Sequence, residues 1–224
     1  MDVLVVGATR GTGRAVTEEL VARGHDVTAF GRTASAAYAP TRHHVPGPGT
    51  VRAVDGDVLD PDAVAKALVG QDAVVVTLGI SDNPLAVQYL RRAGTAPDVR
   101  SRGTAVLLEQ MRLGGPRRVV VQTTYGLGDS WQHLDLTWKL VFRLVIGRQL
   151  VDSARQEEAV RDSGLAWTVV RPVSLTDAPW SGPARVTTDD SRGALKVSRA
   201  QVAHVLADAL DDAATVGATL SVSA

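Results

Sequence analysis

Residues Asp2 to Leu20, DVLVVGATRGTGRAVTEEL, read as strand, glycine-rich turn and helix, and no other stretch constrains the chain as much. Val3 to Val6 form an unbroken apolar run, the pattern of a parallel strand buried on both faces. Gly7 permits a tight bend, Gly11 lets backbone approach a pyrophosphate, and Gly13 removes a side chain where helix must touch strand. The phosphates would rest on the unsatisfied N–H groups at the helix start, beside Thr9, Arg10 and Thr12. A glycine triplet by itself also suits an ordinary βα turn. Its place directly after a buried opening strand, and before Ala15, Val16, Leu20 and Val21, reads as a dinucleotide-binding fingerprint.

Composition then narrows the partners. The 224 residues suffice for one well-buried α/β domain and are too few for two of ordinary size. Lysine plus arginine and aspartate plus glutamate both number 24, so no global field draws nucleic acid or an anionic membrane. The absence of cysteine excludes disulfides, thiolate metal sites and cysteine nucleophiles. His43 and His44 are neighbours without a nearby carboxylate or thiol, so no metal site is expected. No apolar run reaches about 18 residues and the first strand starts at residue 2, so neither a membrane span nor a signal peptide is read. Cytoplasm is the expected compartment.

In the first half, Gly24 suits a left-handed C-cap after the first helix, and the second strand runs from Val27 to Gly31. An NAD-specific fold places a carboxylate at the end of that strand to bind the ribose hydroxyls. Here the sequence is Ala29-Phe30-Gly31-Arg32-Thr33. Arg32 puts a guanidinium where the 2′-phosphate of NADP would lie, with Arg10 able to grip the same group. The bland alternative is two solvated surface arginines. Thr33 to Thr50 reads as a loop over the adenosine end, and Thr50 to Val54 as the third strand. Asp57 is placed to accept the adenine amino group and Val58 to pack on the ring, whereas Asp60 before Pro61 is the natural helix cap. The fourth strand, Asp72 to Leu78, ends at Thr77, Leu78 and Gly79, where the sheet opens onto the cofactor.

In the second half, segments 81–99, 125–151 and 172–190 are expected on the substrate side. Ser81 to Pro97 reads as a short helix in a larger crossover, and Arg100 to Leu113 as the helix that follows. The fifth strand, Arg118 to Gln122, leads into Thr123, Thr124 and Tyr125 at the carboxyl edge. Thr124 either bonds a substrate carbonyl or the nicotinamide, or merely caps the strand. Trp131 to Val151 is apolar with dispersed basic residues, which suits a substrate lid or dimer face, or a helix lying on a membrane surface. Asp152 to Ser163 reads as a polar helix, and Leu165 to Arg171 as the sixth strand, with Pro172 and Val173 following it beside the cofactor. Trp180 would stack on a planar substrate or plug the core. A last helix, Arg199 to Leu210, and a closing strand, Thr219 to Val222, complete the chain.

Taken together, Gly7-Ala8-Thr9 with Gly11 and Gly13, Gly31-Arg32, Gly56-Asp57-Val58, Thr123-Thr124, the run Ser163 to Pro172 and Ser198 to Ala203 resemble an atypical short-chain dehydrogenase/reductase. The likeness is to the flavin reductase and biliverdin-IXβ reductase group and the NmrA-like proteins. It implies a single-domain Rossmann-type doubly wound parallel sheet in order 3-2-1-4-5-6-7, with NADPH as cofactor. The main branch of that family donates its proton from a Tyr-x-x-x-Lys pair, and none of Tyr38, Tyr89 or Tyr125 has lysine four residues on. In the flavin reductase-like group a serine follows strand five and a basic residue often opens the helix before strand six; those positions match Thr124 and Ser153. Neither is a competent acid near neutrality by itself, so either the proton comes from water, Tyr125 or the substrate, or the protein does not reduce carbonyls. The implied function is hydride transfer from NADPH to a flat conjugated acceptor such as a flavin, quinone, tetrapyrrole or aromatic polyketide. The alternatives are a non-enzymatic NADP(H)-binding regulator and a redox-neutral tailoring step, dehydration or epimerisation. A monomer or homodimer is expected.

Overall fold

Valine-rich runs with no polar interruption build the middle of one sheet, because a strand covered by helices on both faces has no side for a polar residue. The computed structural model describes residues 1–39, 45–79, 96–127 and 136–224, with 136–148 as backbone only. In chain order the strands are β1 (Asp2–Val6), β2 (Asp26–Gly31), β3 (Thr50–Asp55), β4 (Ala73–Val76), β5 (Arg118–Gln122), β6 (Ala166–Pro172), β7 (Ser174–Thr176), β8 (Arg185–Thr187), β9 (Lys196–Ser198) and β10 (Thr219–Ser223). The helices are α1 (Gly11–Ala22), α2 (Ala34–Ala37), α3 (Pro61–Leu68), α4 (Val99–Gly114), α5 (Leu136–Arg161) and α6 (Arg199–Asp211).

The sheet order is β3-β2-β1-β4-β5-β6-β10-β8. Its first seven positions are the parallel order expected from the sequence, with β10 as the seventh strand. An eighth strand, β8, was not foreseen; it runs antiparallel along β10, pairing Thr187 with Ser221. A separate two-stranded ladder joins β7 to β9. Two apolar layers fill the faces. One gathers Val3, Val5, Val16, Leu20, Val120 and Leu206 under α1 and α6; the other gathers Leu4, Val6, Phe30, Leu107, Val119 and Val160 under α3, α4 and α5.

Two expectations need correction. From Leu136 on, the apolar segment that ends at Val151 continues without a break into the polar helix expected after it, forming the single helix α5 of 26 residues; 131–135 lie outside the described residues. The segment 33–50 is not loop throughout, since it contains α2, after which Tyr38 is buried and donates its hydroxyl hydrogen to the Ala8 carbonyl at 2.7 Å. The expected crossover helix falls mostly in 80–95, and the histidine pair in 40–44; both lie outside the described residues. Among the described residues no helix is long and apolar enough to cross a membrane.

Candidate functional site

The carboxyl ends of β1, β2, β4 and β5 open onto a cleft of about 790 Å³, inside the range of about 300 to 1,000 Å³ common for ligand sites. Gly7, Thr9, Arg10, Gly11 and Thr12 form its floor. Gly7 (φ +86°) and Gly11 (φ +54°) hold backbone conformations that a side chain would strain. Gly13 lies beneath the turn: a β-carbon there would sit 2.1 Å from the Gly7 carbonyl oxygen and 2.7 Å from Thr77 Oγ1. Arg10 occupies the N-cap of α1 in extended conformation and makes no capping bond through its side chain. The first-turn N–H groups of α1 therefore remain available to an anion.

At the β2 and β3 end, Phe30, Gly31, Arg32, Gly56, Asp57 and Val58 line the wall. Asp57 is exposed, and its Oδ1 accepts from the Leu59 N–H at 3.0 Å. Capping of α3 falls to Asp60, which accepts from the N–H groups of Asp62 and Ala63. Asp55, at the end of β3, is already engaged. The Ser35 hydroxyl and the Ser35 N–H both donate to it, holding its carboxyl below the ordinary carboxylate range.

The opposite end is built by Thr77, Leu78, Gly79, Val99, Arg100, Gln122 and Thr123. Thr123 is buried and donates to Glu157 Oε1 at 2.7 Å. Glu157 receives a two-point contact from Arg171, with Nη2 to Oε2 at 2.6 Å and Nε to Oε1 at 3.0 Å, and Arg171 Nη1 reaches Asp190 Oδ2 at 3.3 Å. Burial alone would lower the Arg171 guanidinium pKa, but the bonds it donates to Glu157 and Asp190 and the two carboxylate charges outweigh it and leave it raised. This network locks the exit of β5 to α5 and β6. Gln122 Oε1 is buried in the cleft wall with no hydrogen-bond partner among the described residues.

The expected catalytic residues are placed elsewhere. None of Thr124, Tyr125 and Ser153 lines the cleft. Thr124 Oγ1 donates to the Tyr125 carbonyl at 3.3 Å. Tyr125 is 1% exposed, its hydroxyl hydrogen goes to the Asp190 carbonyl at 2.8 Å, and burial pushes its pKa upward. Ser153 is fully buried under Arg100, whose Nη1 donates to Ser153 Oγ at 3.4 Å. Pro172 and Val173 are likewise buried, since the Pro172 carbonyl accepts from the Tyr125 N–H and the Val173 N–H donates to Val222. Trp180 packs edge-on against His204 at 5.1 Å, in a shallow depression with Ala15, Ala22, Pro46 and Ala203 that shares no residue with the cleft. Trp131 lies outside the described residues.

Sequence reasoning missed Arg100, Gln122, Leu175, Asp177 and Arg199, all of which line the cleft. Arg199 opens α6, directly after Ser198, whose hydroxyl forms a capping box with Gln201. Its Nη1 pairs with Asp177 Oδ1 at 2.6 Å, and its Nε lies 3.2 Å from where a β-carbon on Gly11 would sit. The capping signal was present in Ser198-Arg199-Ala200-Gln201, but nothing in it tied the arginine to a turn 188 positions earlier.

A family model described as NAD(P)H-binding matches residues 7–213. An uncharacterised chloroplastic protein of Arabidopsis thaliana is 28% identical over 209 residues, 93% of this chain and 71% of that one. A 3-diazoavenalumate denitrifying reductase from Streptomyces sp is 37% identical over 129 residues, 55% of this chain and only 38% of that protein. Among solved structures, the anaerobillin reductase ChuY of Escherichia coli O157:H7 superposes with a TM-score of 0.77 at 23% identity, covering 99% of this chain and 96% of that one. That last likeness is one of fold.

Proposed function

The chain belongs to the NAD(P)H-binding family, and from that premise we propose that it is an NADPH-dependent reductase passing hydride to a flat conjugated acceptor. One observation carries the choice of cofactor. Arg10, in the turn after β1, and Arg32, just past the end of β2, both line the cleft, and residues 29–33 contain no carboxylate to favour an unphosphorylated ribose.

The residues present fit a dinucleotide. Glycines clear the turn, the N-cap of α1 makes no side-chain capping bond, and Gln122 Oε1 is a buried acceptor without a donor among the described residues. Arg32 and Arg10 would hold the 2′-phosphate, and Val58 with Asp57 the adenine. The turn, with Arg199 beside Gly11, would hold the diphosphate, and Gln122 the carboxamide. When bound, the nicotinamide supplies the hydride. Thr77 to Gly79 and Gln122-Thr123 orient the reacting end by shape, so positioning rather than acid catalysis is the main contribution of the protein. No histidine, lysine or tyrosine is among the described residues that line the cleft; the proton then comes from water or from the acceptor itself. The reductase names carried by the Streptomyces relative and by ChuY support this class of reaction.

Fluorescence titration tests the cofactor. Arg32→Ala should weaken NADPH binding by about ten- to a hundredfold, the usual loss for a charge-assisted phosphate contact, and leave NADH within twofold. Equal wild-type affinity for NADH and NADPH overturns the choice. An NADPH-oxidation screen over flavins and quinones tests the reaction. Tight NADPH binding with no turnover on any of them would favour a regulator of the NmrA-like kind.

A further inference from the structure

Arg100 is the only cation at the β4 and β5 end among the described residues that line the cleft. Its backbone is fixed from outside its own helix: buried Asp152 of α5 accepts from the Arg100 N–H at 3.2 Å, the Ser101 N–H at 3.1 Å and the Ser101 hydroxyl at 2.5 Å. The carboxylate of Asp152 thus takes the place of a local cap for α4, whose N-cap residue Asp98 makes no capping bond through its side chain. The side chain is fixed as well. Nε donates to the Leu78 carbonyl at 3.2 Å and Nη1 to Ser153 Oγ at 3.4 Å.

Those two contacts leave Nη2 with no partner among the described residues, next to Gly79, where a β-carbon would stand 3.8 Å from it. No carboxylate among the described residues pairs with this guanidinium, since Asp152 is engaged by backbone N–H groups and by Ser101. Burial pushes the Arg100 pKa down, with the Asp152 charge opposing. An arginine nevertheless stays protonated at any physiological pH. A partly buried cation with unfilled donors and no ion-pair partner among the described residues is stabilised by an anion arriving in the cleft.

We propose that Arg100 binds a carboxylate on the hydride acceptor, so that the substrate class is a flat conjugated acid rather than a neutral quinone or ester. The inference rests on the reductase reading for the word acceptor, and on geometry alone for the anion. The planar fork suits two carboxylate oxygens. Its anchorage on Leu78 and Ser153 sets the carboxylate at the Gly79 rim, at the other end of the cleft from Arg32. The charge is present in the bound ground state, so its effect belongs in KM and binding more than in kcat.

The test uses NADP⁺-loaded full-length protein titrated with anthraquinone-2-carboxylate and with its methyl ester. Wild type should bind the acid about ten- to a hundredfold more tightly than the ester, in line with a charge-assisted contact. Arg100→Gln should abolish that preference by weakening the acid alone, with NADPH affinity within twofold of wild type, and Arg100→Lys should retain part of it. Equal wild-type affinity for acid and ester overturns the proposal, and does so even if the glutamine variant fails to fold. A glutamine variant that loses NADPH affinity and keeps the acid preference also overturns it, by assigning Arg100 to the cofactor. An acid preference in a protein that fails to oxidise NADPH whichever acceptor is supplied upholds the anion site and removes the reductase reading instead.

Discussion

A methyl group at position 13 would overlap the Gly7 carbonyl oxygen at 2.1 Å, and both that oxygen and the Gly13 Cα carrying the methyl belong to backbone that packing holds still. Neither can give way without moving the turn off Thr77. Gly13→Ala should therefore cost about 1 to 3 kcal/mol of stability, the usual price of overpacking, and lower Tm by several degrees. It should also abolish NADPH binding, because the displaced turn no longer presents its N–H groups; calorimetry and a thermal melt read both effects. This residue was fully legible in the sequence, since a Cβ at the third glycine of the pattern has nowhere to go. Thr124 and Tyr125 were not. Both are hydroxyl residues at the correct strand end, yet Thr124 turns to the Tyr125 carbonyl and Tyr125 is enclosed to bond Asp190, 65 positions away. Arg100 was invisible for the opposite reason. On a helix surface an arginine normally extends into solvent, and only the arrival of Asp152 and Ser153 from α5 fixes it toward the cleft.

At the scale of elements, α1 and α6 meet along a polar seam over a buried apolar layer. Arg23 bonds Glu19 at 2.8 Å and Asp208 at 2.8 Å, and His204 Nδ1 lies 2.9 Å from Glu19 Oε1. Burial pushes the Glu19 carboxyl up, but hydrogen bonds from His204 and Arg23 outweigh it and leave the pKa below its ordinary value. A carboxyl depressed in the fold contributes stability that is complete above its unfolded pKa, about 4.3, and disappears as pH falls through the folded value. Glu19→Gln should thus lower Tm at pH 7, by an amount worth less than about 1 kcal/mol because the group is partly exposed and screened by solvent. The two melting curves should converge by about pH 3. A constant difference down to that pH would show that the glutamine disturbs packing instead. Elements were legible where burial on both faces leaves no alternative, as in Val74 to Val76 and Val119 to Val121. They were illegible where three residues suffice. In β7, β8 and β9, the sequences SLT, RVT and KVS carry no period, and pairing partners alone make them strands.

Across the whole molecule, the cleft is closed by residues from both ends of the chain. Arg199 reaches the Gly11 turn only because α6 packs beside α1, and its partner Asp177 lies in the stretch between β7 and β8. Sequence order hides such a contact, since its separation of 188 positions exceeds any local pattern. The geometry makes a prediction that distinguishes the two ends of the dinucleotide. On the proposed reading Arg32 would border the ribose that carries the 2′-phosphate, a group absent from NADH, whereas Arg199, beside Gly11, would border the turn that receives the diphosphate common to both cofactors. Arg199→Ala should weaken NADPH and NADH alike, by about tenfold for one charge-assisted contact made at a half-exposed site. Asp177→Asn should strengthen both slightly, because the guanidinium no longer divides its bonds between a carboxylate and a phosphate. Binding titrations of the two variants with both cofactors decide it. If Arg199→Ala lowered NADPH affinity and left NADH unchanged, Arg199 would border the 2′-phosphate and the orientation of the dinucleotide in the cleft would have to be reversed.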